Sequence, residues 1–142
     1  MGPSVERHKA LEAAGWKPKR AGAFMDSIGP LWARLEETGW AYGLLAGDRH
    51  LNPAEVVHGG FLQTLIDHAL SALAWEAVER KPCMTIQSDS HFLSTVKSND
   101  FVVAHGIEVR RTRNLIFMRG HLEVQGKSVL SAQAVFKIAE AK

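Results

Sequence analysis

The apolar positions of this chain are densest between Phe61 and Val78. There Phe61, Leu62, Leu65, Ile66, Ala69, Leu70, Leu73, Trp75 and Val78 fall almost all round a helical projection. That pattern predicts a buried central helix of about 21 residues, about 31 Å long at 1.5 Å per residue. Its apolar coat has one gap. Gly60, Gln63, Thr64, Asp67 and Ser71 lie at i, i+3, i+4, i+7 and i+11, and so form a narrow polar stripe on one face. A carboxylate midway along such a helix is costly unless it is used or paired.

Shorter patterns flank this helix. Residues 5–14 read as a short amphipathic helix, with Ser4 as N-cap and Gly15 past its end. Residues 16–23 read as a loop, and 24–37 as a helix carrying Ile28, Leu31, Trp32 and Leu35 and ended by Gly39. Residues 40–47 read as a strand, and 48–57 as a loop bearing His50 and Asn52. Arg80, Lys81 and Pro82 close the central helix. Four strand segments follow, at 84–93, 115–124 and 128–138 by alternation and at 101–111 by its β-branched residues, and the last three predict a hairpin meander. A long helix that is apolar all round needs a sheet to cover it. The expectation is therefore an α+β fold: an antiparallel sheet wrapped around one long central helix, with extra N-terminal helices. Residues 1–23 read as an N-terminal helix and loop extension, and 24–142 as the main domain. No repeat or linker divides the chain.

Composition narrows the classes. With 142 residues, 46% apolar and 23% charged, the chain is long enough for one globular core. A formal charge of +2 is too small to imply nucleic acid. No apolar run approaches a membrane span, and residues 1–9 lack the apolar core of a signal peptide. The single Cys83 excludes an internal disulfide and agrees with a reducing cytoplasm, the expected location. The histidines show no metal-ligand spacing, so no metal is expected.

The start of the central helix carries candidate chemistry. Gly59 and Gly60 leave their amide N–H groups open to close approach. The first amides of a helix have no internal partner and sit at its positive end, where they can hold an oxyanion. His58 and Asn52 can add polar contacts, and Asp67 offers a base. The alternative is that Gly59-Gly60 is only a turn and Asp67 only a paired core carboxylate. Gly59 and Asp67 are eight residues apart, about 12 Å along one helix axis. A reacting carbonyl must lie about 3 Å from both the donors and the base, or one water further. Two antiparallel copies of the helix meet that condition where one chain does not, so a two-fold dimer with sites across its interface is expected.

The layout resembles the hotdog fold. Asn52-x5-His58-Gly59-Gly60-x6-Asp67 resembles the signature of the acyl-CoA thioesterases of the phenylacetate-pathway type, in the 4-hydroxybenzoyl-CoA thioesterase superfamily. The likeness covers residues 24–138 and includes Phe92-Leu93 and Arg110-Arg111-Thr112-Arg113. It implies hydrolysis of an acyl-CoA thioester to free acid and CoA. Asp67 would act as general base or nucleophile, and the Gly59 amide would polarise the carbonyl. Asn52 and His58 would orient the substrate or leaving group, and Thr85, across the interface, would help place water. The resemblance also implies that dimers pack as a homotetramer, and that no cofactor is needed because CoA belongs to the substrate. Two positions depart from the pattern: Thr95 stands where many relatives have proline, and Asn99 where they have glycine.

Substrate contacts are expected from Gly60 and Gln63 on the stripe and from an apolar pocket drawn from Phe61, Phe92, Trp32 and Trp40. Arg111, Arg113 and Lys97 are candidates for the CoA phosphates. For the aromatics the alternative is plain core, and for the basic residues a solvated face. Two other classes compete: a non-catalytic acyl-CoA sensor and an interaction protein that keeps the fold without a ligand. An intact Asp67 argues against the first and the open glycines against the second. His68 should face away from the stripe and is read as structural, and Cys83 has no evident base beside it.

Overall fold

The computed structural model describes residues 3–140. The order is α1 (Pro3–Ala13), β1 (Lys17–Lys19), α2 (Ala23–Ile28), β2 (Leu31–Glu36), β3 (Gly39–Leu45), a 3-10 turn at Asp48–His50, α3 (Gly59–Ala77), β4 (Cys83–Phe92), β5 (Phe101–Arg111), β6 (Leu115–Val124) and β7 (Lys127–Ile138). Seven strands form one sheet in the order β1-β2-β3-β5-β6-β7-β4, antiparallel throughout. The sheet curls around α3 in the hotdog arrangement. No helix among the described residues is long and apolar enough to cross a membrane.

One face of α3 fills the core. Leu65, Ile66, Ala69, Leu70 and Ala74 are fully buried against Leu44, Val102, Ala104, Ile116, Leu122, Leu130 and Phe136. Removing a side chain such as Leu70 at this contact would cost about 2–5 kcal/mol. The helix comes this close because Gly106 and Gly120 pair across β5 and β6. A Cβ on either would lie 2.5 or 2.7 Å from the Leu70 Cδ2 methyl.

Three expectations need correction. Residues 24–37 are not one helix: α2 stops at Gly29, and Leu31–Glu36 is strand β2. Pro30 has no N–H to continue the helix and biases its predecessor toward extended backbone. β2 then pairs with β3 on one side and β1 on the other. Residues 16–23 likewise are not all loop, because Lys17–Lys19 is the edge strand β1. A second, smaller core explains both: Leu11 and Trp16 pack on Trp32 and Ala41 on the side of the sheet away from α3. Leu11, Trp16 and strand β1 are therefore packed onto the same sheet. Ser4 lies inside α1 and does not cap it. Asn99 takes the left-handed conformation, φ 76°, that asparagine tolerates in place of glycine.

Candidate active site

The loop before α3 is held by its own polar side chains. Asn52 Oδ1 accepts from the N–H groups of Ala54 (2.9 Å) and Val56 (3.3 Å), closing a turn over residues 52–56. His50 Nδ1 accepts from the Gly47 N–H at 2.9 Å, and the His50 carbonyl accepts from the His58 N–H at 2.8 Å. The Val57 N–H donates to the Val96 carbonyl. Burial holds the His50 ring below its ordinary pKa, helped by the Arg49 charge and opposed by the Ile28 carbonyl. A ring that stays neutral keeps Nδ1 as an acceptor for Gly47.

His58 is the N-cap of α3. Its Nδ1 accepts from the Gly60 N–H at 2.8 Å. That leaves the Gly59 N–H with no acceptor among the described residues, at the positive end of a 19-residue helix. Phe92, the last residue of β4, lies over the same glycine. A Cβ at position 59 would stand 3.3 Å from its ring.

The polar stripe of α3 faces β4. Thr85 Oγ1 donates to Asp67 Oδ1 at 2.7 Å, and Gln63 Nε2 donates to Ser88 Oγ at 3.1 Å. A bulge at Ile86 puts Thr85 and Ser88 on the same, helix-facing side of β4. Thr85 thus sits beside Asp67 of its own chain, where the sequence reading had it across the interface. Asp67 and Gly59 share α3, and the helical rise keeps them about 12 Å apart.

One turn beyond Asp67 on the stripe, Ser71 lines a cleft of about 440 Å³ with Leu31, Tyr42, His68, Trp75 and Cys83. That is in the range of small-ligand pockets, about 300–1,000 Å³. The sequence reading missed these walls. Only the position of Ser71 on the stripe could have pointed to them. His68 presents its ring edge-on to Tyr42, with centroids 6.5 Å apart. Burial pushes the His68 pKa down, with Asp67 pulling the other way, and burial pushes the Cys83 thiol up.

Other candidates lie elsewhere. Phe61 is buried in the core and packs on His50, with ring centroids 4.3 Å apart. Trp32 belongs to the second core, and Trp40 lies under Lys19. Arg111 makes a two-pronged ion pair with Glu108 of its own strand, at 2.8 and 3.1 Å. Arg113 is exposed in the turn after β5, and Lys97 is exposed. The fold also builds a group that no sequence spacing announced. Ligand-capable atoms of His105, His121 and Glu123 lie within 4.8 Å of one another.

The antiparallel sheet wrapped around one long helix defines the hotdog class of thioesterase folds. Residues 54–130, more than half the chain, match the family model described as the thioesterase superfamily, and the chain belongs to that superfamily. No curated protein matches it. Among solved structures it is similar to a mutant of the phenylacetic acid degradation protein PaaI from Thermus thermophilus, with 24% identity, a TM-score of 0.70, and 82% of this chain and 98% of that one covered. A Bacillus halodurans protein solved with CoA has 20% identity and a TM-score of 0.78, covering 97% and 89%. A hypothetical thioesterase from Streptococcus pneumoniae, also with coenzyme A, has 23% identity and a TM-score of 0.63, covering 72% and 82%. At these identities the likeness is one of fold.

Proposed function

We propose that the protein hydrolyses an acyl-CoA thioester at a site shared by two copies of the chain. The observation that carries this is the pairing of an open Gly59 amide with a Thr85-bonded Asp67 too far away to serve the same carbonyl. The free edge of the sheet supplies the remedy. Among the described residues, β4 has no neighbour on its outer side. If two β4 strands pair antiparallel about Ser88–Asp89, Thr85 of one lies opposite Phe92 of the other. Gly59 lies under Phe92 and Asp67 beside Thr85, so each site takes its oxyanion donor from one chain and its carboxylate from the other. Family membership and the CoA bound to two structures of the same fold support the substrate class.

The chemistry follows from the residues. Thr85 occupies one oxygen of Asp67 and leaves the other for water. Asp67 takes a proton from that water as it attacks the thioester carbonyl; alternatively its oxygen attacks and the anhydride is then hydrolysed. The carbonyl oxygen becomes an oxyanion and accepts from the Gly59 N–H, whose geometry is fixed before the reaction. Collapse breaks the C–S bond, and CoA leaves as thiolate and takes up a proton. The acyl group would lie in the cleft beyond Ser71.

A panel of acyl-CoAs with thiol detection tests the reading. Asp67→Asn should fold as wild type by circular dichroism and lose about 10²–10⁴-fold in rate. In a purified mixed dimer of Gly59→Pro with Asp67→Asn, one site carries both lesions and the other neither, so half the wild-type activity should return. Near wild-type rates in Asp67→Asn, or a folded but inactive mixed dimer, would overturn the mechanism.

A further inference from the structure

On the side of the sheet away from α3, His105 and His121 face each other directly across β5 and β6. Their rings stack with centroids 5.4 Å apart. Glu123, two residues further along β6, reaches both. Its Oε1 is 3.7 Å from His105 Nδ1, and its Oε2 is 3.3 Å from His121 Nε2. None of these residues has a part in the proposed hydrolysis.

The tautomer of His105 is fixed from behind. Its Nε2 lies 2.9 Å from Glu36 Oε1. The other Glu36 oxygen accepts from Arg34 Nε (3.0 Å) and Nη2 (2.6 Å). An ionised carboxylate only accepts, so Nε2 must carry the proton. In the tautomer that leaves Nδ1 unprotonated, its lone pair lies 3.7 Å from Glu123 Oε1, so two acceptors stand close together. A cation between them removes the conflict. A carboxylate behind a histidine N–H is also the arrangement that orients metal-bound imidazoles and raises their basicity.

We propose that His105 Nδ1, His121 Nε2 and Glu123 form a site for a divalent transition-metal ion of the zinc type, with Glu36 and Arg34 as its supporting layer. Two imidazoles and one carboxylate favour zinc, cobalt or nickel over magnesium or calcium, which prefer all-oxygen sites. Tetrahedral zinc with bonds of about 2.0–2.1 Å needs ligand atoms about 3.3 Å apart. The present spacing of up to 4.8 Å closes with small side-chain rotations. The fourth position opens onto a cleft of about 640 Å³ lined by Thr38, Trp40, Ser128 and Ser131 besides the two histidines, leaving room for water or a small anion. The site stands apart from Gly59 and Asp67 and does not depend on the thioesterase reading.

The test is zinc titration of chelator-stripped full-length protein by calorimetry, with cobalt absorption as a second readout. One zinc per chain is expected, with a rise in the melting temperature and a visible cobalt spectrum of tetrahedral intensity. His121→Gln and, separately, His105→Gln should abolish all three while leaving the circular dichroism spectrum unchanged. Glu36→Gln should weaken binding about 10–100-fold, because it removes only the supporting carboxylate. Absence of zinc binding by the wild-type chain would overturn the site. Undiminished stoichiometry in both histidine variants would overturn it as well, by placing the zinc elsewhere.

Discussion

The two edges of the sheet are built on opposite plans. β1 is three residues long, Lys17-Pro18-Lys19, and exposed. Shortness, proline and lysine are the devices that stop a sheet edge from recruiting another strand. β4 has none of them. It is ten residues long and bears exposed Met84, Ile86 and Phe92, with exposed Leu93 just beyond its end. Its helix-facing side carries Thr85, Ser88 and Phe92, the residues that touch Asp67, Gln63 and the Gly59 turn. One edge is closed to partners. The other is open and adjoins both halves of the candidate site, so the contrast separates a structural boundary from a surface suited to a second copy.

The largest effect should come from making β4 resemble β1. Met84→Lys with Ile86→Lys transfers the lysine spacing of β1 to β4 without touching Thr85. The double variant should be a folded monomer by light scattering. It should hydrolyse acyl-CoA at least about 100-fold more slowly, the lower bound of a lost general base. A dimeric, active double variant would remove the case for β4 as the shared edge.

A smaller effect sharpens the role of the Gly59 turn under the end of β4. His50 and His68 both have pKa values lowered chiefly by burial, so the folded state favours their neutral forms. The unfolded chain then binds more protons below its own histidine pKa of about 6.5, and stability falls as pH drops through that value toward the folded ones. Protonating His50 also takes the acceptor away from the Gly47 N–H. Thermal melts between pH 7.5 and 5 should show a falling melting temperature, with a shallower slope in His50→Gln. An equal slope in that variant would mean that His50 does not report on the turn.

The smallest effect is expected at the closed edge. Pro18→Thr should leave the dimer mass unchanged and stability within about 0.5 kcal/mol, as for a surface position away from special features. A shift in assembly would show that β1 also takes part.

Much of the candidate site was legible because it lies on one continuous stretch, the loop before α3 and the helix itself. Asn52, His58, Gly59, Gly60 and Asp67 are local in sequence, and the period of α3 alone places Gly59 and Asp67 on one helix about 12 Å apart. The strands 101–111 and 115–124 were legible, the first from its β-branched residues and the second from its alternation, and the structure gives the same bounds. β2 was not. Leu31 and Ala33 face one core and Trp32 the other, so both sides are buried and the alternation that marks a strand is erased.

Tertiary structure decided what depends on register. The turn after β5 sets Arg111 opposite Ile116, and continuing that register would set His105 against Leu122. The bulge at Val109 shifts the pairing by one residue, and His105 meets His121 instead. The bulge at Ile86 likewise turns Thr85 toward Asp67. The sequence by itself determined the central helix, its polar stripe and the open glycines at its start, because those follow from periods within one segment. The histidine pair, the Thr85 contact, the cleft beyond Ser71 and the difference between the two edges depend on how separate segments are aligned, and only the folded sheet sets that alignment.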